Sequence, residues 1–194
     1  LDIDTLVRLE KAHGPRVLTG LGNRAFLRSF GLERVEELDW WQDAQTDGGS
    51  ATFVPAKHWS ARSGRNRNRT LWGGFLLNVG GRKILFAGDT GYGPLFGEMR
   101  ERCASPDIAL LPIGAYEPRW FMQPQHMNPE EAVRAHLDLG ARVSVGMHFG
   151  CFQLTDEGID DPIVELDDAR RRFGVTPEQF QVLEIGETRV YRQT

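Results

Sequence analysis

The sequence is poor in cysteine, with only Cys103 and Cys151. Two thiols cannot build a disulfide framework or a paired-cysteine zinc finger, and such sparse usage fits a reducing compartment such as the cytoplasm. Positive charge is not in excess either. The formal net charge of -4 removes the electrostatic case for a general nucleic-acid binder, so no nucleic-acid partner is expected. No apolar run approaches the length needed to span a bilayer. Internal repeats, low-complexity segments, a signal peptide and a composition shift marking a second domain are all missing. There is no initiating Met. The chain opens Leu1-Asp2-Ile3-Asp4, within what reads as a helix, so the polypeptide is expected to be a piece of something longer.

With 194 residues, 40% of them hydrophobic and 26% charged, the chain can bury one full core. Periodicity and breakers predict helices over 4–12, 23–30, 94–102, 128–139 and 161–173. Strands are expected over 16–19, 35–38, 50–54, 71–79, 82–87, 107–113 and 142–147. Gly80-Gly81 marks one hairpin, and a second is expected from Gln181–Ile185 and Thr188–Arg192 around Gly186-Glu187. Residues 39–49 read as a polar turn region and 55–70 as a loop carrying Arg62, Arg65, Arg67 and Arg69. The helix at Asn128-Pro129-Glu130-Glu131 has a strong start, with a capping Asn, Pro in the first turn and an acid three residues on. Hairpins mixed with crossovers argue for an α/β (α+β) architecture around a mixed sheet.

The chemistry centres on Ile84-Leu85-Phe86-Ala87-Gly88-Asp89-Thr90-Gly91-Tyr92, an apolar strand that stops at a glycine-flanked acid. His58 and His148 stand at the same kind of place, just past the strands over 50–54 and 142–147. Ligands bind at strand ends in α/β sheets, and two histidines with one aspartate suit a first-row metal, so His58, Asp89 and His148 are candidate metal ligands. His126, just before the helix at Asn128, could serve as an acid or a phosphate donor. His136 is expected to pack and His13 to be exposed. The arginine loop could recognise phosphate. A competing reading treats Gly20-Leu21-Gly22-Asn23-Arg24-Ala25 as a dinucleotide fingerprint, with Asp39 about twenty residues on, which would make the chain a nucleotide-binding module.

The strings Lys57-His58-Trp59-Ser60, Asn68-Arg69-Thr70-Leu71-Trp72-Gly73-Gly74, Ala87–Tyr92, Leu111-Pro112-Ile113-Gly114-Ala115-Tyr116-Glu117-Pro118-Arg119-Trp120-Phe121-Met122, His126–Ala132 and His148-Phe149-Gly150 resemble the metallo-β-lactamase superfamily. The similarity is to its branch resembling N-acyl-phosphatidylethanolamine-hydrolysing phospholipase D. The resemblance implies an αββα sandwich with two metals, usually zinc. His58 would bind the first, His148 the second, and Asp89 would bridge both, while His126 would line the active site. It implies a metal-dependent phosphodiesterase acting on a phosphodiester or phospholipid, with a metal-bound hydroxide as the attacking group and Asp89 and His126 as catalytic residues. A superfamily hydrolase of another ester is the nearer alternative.

The family's His-x-His-x-Asp-His cluster does not occur in the chain. Relatives follow that cluster directly with Leu-Asp, the residues at Leu1-Asp2. Residues 1–194 are therefore expected to be the C-terminal portion of one such domain, with the N-terminal part missing. Three ligands would hold at most one zinc weakly, and no turnover is expected from this chain alone. Its partners are expected to be the missing N-terminal half or a second copy, with peripheral membrane contact if the substrate is a lipid. Cys151 stands where relatives commonly carry Thr, and burial as a small apolar group is expected for it.

Overall fold

The computed structural model describes residues 2–191. Helix α1 (Ile3–His13) is capped by the Asp2 side chain, which accepts from the Thr5 amide. Strand β1 (Val17–Gly20), helix α2 (Arg24–Arg28) and strand β2 (Val35–Leu38) form a small βαβ unit whose two strands pair in parallel. Strands β3 (Asp43–Thr46), β4 (Gly49–Val54), β5 (Gly74–Val79) and β6 (Arg82–Phe86) follow. Then come α3 (Leu95–Cys103), β7 (Ile108–Pro112), α4 (Arg119–Met122), α5 (Pro129–Leu139), β8 (Val143–Met147), α6 (Asp161–Phe173) and β9 (Phe180–Gln181).

Seven strands form one mixed sheet in chain order, β3 to β9. Pairing is antiparallel from β3 to β6 and parallel from β6 to β9. The β5–β6 turn places Gly80 and Gly81 at φ +58° and +74°, the left-handed geometry that a two-residue hairpin turn requires. Because β4 and β6 both run antiparallel to β5, they share a direction with each other and with β7 and β8. The C-terminal ends of these four strands therefore lie along one edge of the sheet. That edge carries His58, Asp89, the segment after Pro112, and His148.

Alternation along the strands splits the apolar side chains between two faces. Leu76, Leu85, Ala109, Leu111 and Ile113 meet Phe96, Met99, Val133, Leu139 and Leu166 of α3, α5 and α6 in the main core. On the opposite face, Phe53 and Phe75 pack with Leu18, Leu38, Trp40 and Leu71, beside the β1–β2 unit. Farther along that face, Ile108, Val143 and Val145 pack with Ile84, Leu110, Leu183 and Tyr191. Phe86, in phase with Ile84, is 45% exposed.

Three expectations need correction. The polar region 39–49 contains β3, whose Asp43 and Gln45 face solvent while Ala44 is buried, so one apolar residue on an edge strand left almost no periodic signal. The C-terminal hairpin does not form among the described residues. Phe180–Gln181 instead adds to the sheet as a parallel strand beside β8, and 182–191 carries only a turn closed by the Glu187 amide on the Glu184 carbonyl. Arg192 lies outside the described residues. The strand expected over 71–79 starts only at Gly74, because the Leu71 amide is taken by the Leu21 carbonyl.

Candidate functional site

Each candidate side chain is held by its own local device. The Asp89 turn is tied to the His58 segment: the Lys57 amide donates to the Thr90 hydroxyl at 2.9 Å, and the Gly91 amide donates to the Lys57 carbonyl. The Met127 amide donates to the Thr90 carbonyl, which brings the His126 segment against the same turn. His126 is further fixed by Arg119, whose guanidinium donates to the His126 carbonyl at 3.1 Å and to the Glu131 carboxylate at 2.6 Å. His148 has φ +63°, uncommon outside glycine and concentrated at functional sites. A Cβ on Gly114 would stand 2.3 Å from the His148 carbonyl oxygen, so only glycine allows the β7 end and the His148 turn to approach this closely.

The three histidines and Asp89 meet at the sheet edge. His58 Nε2 stands 3.4 Å from His126 Nε2, and His148 Nε2 stands 3.4 Å from Asp89 Oδ1. The His126 and His148 rings lie 5.6 Å apart between centroids. His58 Nδ1 lies 2.9 Å from the Trp59 carbonyl oxygen. Donation there puts the proton on Nδ1 and leaves the Nε2 lone pair facing His126, the arrangement found at metal-ligating histidines. The Nδ1 atoms of His126 and His148 are buried and have no hydrogen-bond partner among the described residues. A cleft of about 580 Å³ runs over this group and is walled by Trp59, Phe121, Met122, Leu154 and Thr155.

The electrostatics divide the histidines. His148 is raised above its ordinary 6.5, first by its contact with Asp89, and the imidazole reciprocally lowers the Asp89 carboxyl below 3.8. Burial drives His126 the other way, down to about 4, with the neighbouring His58 adding to the effect. A neutral imidazole, His126, thus stands beside the coupled His148–Asp89 pair.

The donor types suit zinc: two imidazoles and a carboxylate, with the tautomer of His58 fixed for ligation. With His126 they form two pairs, His58–His126 and His148–Asp89, and not one convergent set. Among the described residues, no group of three or more His, Cys, Asp or Glu side chains is placed to hold a metal ion. The chemistry of the donors fits a metal, while these residues by themselves do not enclose one.

Other expectations resolve residue by residue. His136 is 3% exposed, with Nδ1 2.8 Å from the Ser144 hydroxyl, and packs in the core as its helical phase implies. Cys151 is exposed at the rim beside Phe152 and Leu154, not buried, because its turn projects from the sheet edge. In the arginine loop, Arg62 lies over the Phe26 ring of α2 and Arg67 over Trp59, which lines the site. The glycine fingerprint opens a helix of five residues. Its glycines serve chain crossing: a Cβ on Gly20 would meet the Leu71 carbonyl at 2.5 Å, and one on Gly22 the Arg69 carbonyl at 3.0 Å. The Leu21 amide is taken by the Leu38 carbonyl and the Arg24 amide by the Glu37 carboxylate, so both serve contacts within the chain.

Sequence reasoning missed Glu157. Its carboxylate accepts from the amides of Ala115 at 2.7 Å, Tyr116 at 3.3 Å and Glu117 at 3.0 Å, and from the Thr155 hydroxyl at 2.7 Å. Burial acts to raise this carboxyl, but the Thr155 hydroxyl and the backbone amides outweigh it and hold the pKa below 4.5. Nothing in Leu154-Thr155-Asp156-Glu157-Gly158 signals a partner forty residues away. Arg119 was equally silent, although the acid it meets, Glu131, was legible as a cap.

Residues 1–149 match the model of the beta-lactamase superfamily domain. An uncharacterized protein of Mycobacterium tuberculosis is 42% identical over 171 residues, covering 86% of this chain and 45% of that protein. The mitochondrial N-acyl-phosphatidylethanolamine-hydrolyzing phospholipase D of Saccharomyces cerevisiae is 35% identical over 198 residues, covering 98% of this chain and 42% of that protein. The chain thus spans less than half the length of these relatives. Among solved structures, the metallo hydrolase Igni18 of Ignicoccus hospitalis superposes with a TM-score of 0.74 at 23% identity, covering 98% of this chain and 74% of that one, which is a likeness of fold. With a sheet edge that gathers three histidines and an aspartate, and with a family model matched over most of its length, the chain belongs to the β-lactamase superfamily domain family.

Proposed function

We propose that this chain supplies the His58, Asp89, His126 and His148 side of a metal-dependent hydrolase site, and that the reaction is cleavage of a phosphodiester, with N-acyl-phosphatidylethanolamine-like lipids as the substrate class. The observation that carries the reading is the meeting of these four side chains at the shared C-terminal edge of β4, β6 and β8. Similarity to the yeast phospholipase D supports the substrate class.

In this reading His58, Asp89 and His148 would hold zinc together with ligands from beyond this chain, and the bound metal would supply Lewis acidity. The chain's own residues do the rest. Asp89, flanked by Gly88 at φ +68°, turns its carboxylate into the site and holds His148 in register. His126, kept neutral by burial, offers an N–H hydrogen bond to a phosphoryl oxygen. Trp59, Phe121 and Leu154 exclude water from the apolar side of the cleft.

The test is elemental analysis and hydrolysis with the full-length protein. Stoichiometric zinc is expected, with hydrolysis of N-acyl-phosphatidylethanolamine and of bis(p-nitrophenyl) phosphate. Asp89→Ala should lower both zinc content and rate by about a hundredfold or more, since even outer-shell changes cost 10–100-fold. Absence of a transition metal sinks the reading. Bound metal with turnover of carboxylic esters only would leave the metal site and replace the substrate class.

A further inference from the structure

The segment 150–158 forms the outer wall of the cleft, yet it contains no helix or strand and its apolar side chains are bare. Phe152 is 78% and Leu154 71% exposed. Short loops of this kind hold one conformation only when something pins them. The pin is Glu157. Ala115 has φ +61°, so the successive amides of 115–117 turn toward a common point, the concavity in which backbone N–H groups bind anions. That concavity is filled from within by the Glu157 carboxylate, through three amide bonds of 2.7–3.3 Å. The Thr155 hydroxyl closes the same carboxylate from the loop side, and the Asp156 amide reaches back to the Glu117 carbonyl at 3.5 Å. On its far side the clamped strip packs against the His148 turn at Gly114.

We propose that Glu157 is a positioning residue for the site: seated in the 115–117 amide concavity, it fixes Leu154 in the cleft wall with Phe121 and so selects phosphodiesters that carry an apolar arm. This rests on the phosphodiester reading above and adds the residue that sets specificity. Glu157 touches neither the reacting atoms nor any candidate ligand; it acts through Leu154. Its carboxylate is well suited to the task, because one ionised group can satisfy three amides and a hydroxyl at once, which no neutral side chain does.

Binding equilibria test this without requiring turnover. Calorimetry on the full-length protein would compare octylphosphocholine, a phosphodiester with an eight-carbon arm, with glycerophosphocholine, which has none. Glu157→Ala is expected to weaken octylphosphocholine about tenfold and to leave glycerophosphocholine within about twofold, the loss matching one wall side chain no longer held against the arm. Leu154→Ser should produce a similar loss. Adding Glu157→Ala to it should cost nothing further, because both changes remove the same contact. Thr155→Val, which deletes one of the four bonds and keeps the fold, should show a smaller loss in the same direction. Amide hydrogen exchange would report faster exchange at Ala115, Tyr116 and Glu117 in Glu157→Ala, with α5 unchanged.

Equal weakening of both ligands, additive losses in the double variant, or wild-type binding by Glu157→Ala would each overturn the assignment, as would failure of the wild type to favour the long-armed ligand. Absence of hydrolysis alone would count against the proposed reaction and leave this result standing.

Discussion

His126 and His148 have rings 5.6 Å apart and are driven in opposite directions, which makes them separately observable. His148 is raised by Asp89, so its contribution to stability is complete below 6.5 and is lost as pH rises through the raised folded value. Asp89 is lowered, so its contribution is present above 3.8 and is lost as pH falls through the lowered value. Both are intact between those limits. His126 works against them, because its folded value near 4 means that acid favours the unfolded chain from 6.5 downward. In a chelator-treated sample, the NMR titration of ring protons is expected to show His148 losing its proton above 6.5 and His126 remaining neutral down to about pH 4. The reverse order would mean that the burial of His126 and the Asp89 contact are wrong. The placing of His58, Asp89 and His148 at strand ends was legible because each follows an apolar strand, whereas the proximity of His126 to His58 depends on the Thr90 carbonyl and Arg119, contacts that no local pattern encodes.

Among the elements, α5 shows how a short sequence can serve a distant site. Asn128 accepts from the Glu131 amide at 2.9 Å, the Glu131 carboxylate accepts from the Asn128 amide at 3.1 Å, and Pro129 occupies the first turn. The same Glu131 holds Arg119, which holds the His126 carbonyl. The helix cap and the position of a site histidine therefore share one carboxylate. Asn128→Ala is expected to cost about 1 kcal/mol, read as a shift in denaturant midpoint at unchanged slope. A loss well above 2 kcal/mol would show that the cap is coupled to the Arg119 pair more strongly than a simple cap can be. This helix, its Gly140 terminator and the Gly80-Gly81 hairpin were readable in sequence because each rests on interactions within a few residues. Strand β3 and the parallel addition of β9 were not, because their hydrogen bonds depend wholly on neighbouring strands.

For the whole molecule the asymmetry of the sheet matters most. One face is buried under α3, α5 and α6. The other is covered in patches by the β1–β2 unit and by Leu183 and Tyr191, and it leaves Phe86 45% and Val79 43% exposed. An apolar sheet face in water favours association. Sedimentation of residues 1–194 alone is expected to show concentration-dependent self-association, reduced by Phe86→Lys. A monomer at high concentration would show that the coverage present is sufficient. None of the helices among the described residues is long and apolar enough to cross a membrane.

Apart from β3, α4 and β9, the sequence by itself determined the order of strands and helices, many of the caps and turns that bound them, and the placing of three candidate ligands at strand ends. These are matters of periodicity and of backbone chemistry within a few residues. Tertiary structure alone decided that β4, β6, β7 and β8 share a direction, and hence that residues 58, 89, 126 and 148 meet. It also decided that Glu157 fills the amide concavity at 115–117, and that the glycine-rich loop at 20–25 closes on its own chain. The physical reason is the same each time. Local propensity is written in neighbours along the chain, whereas a site is made of groups far apart in sequence, and sheet register and packing bring them together.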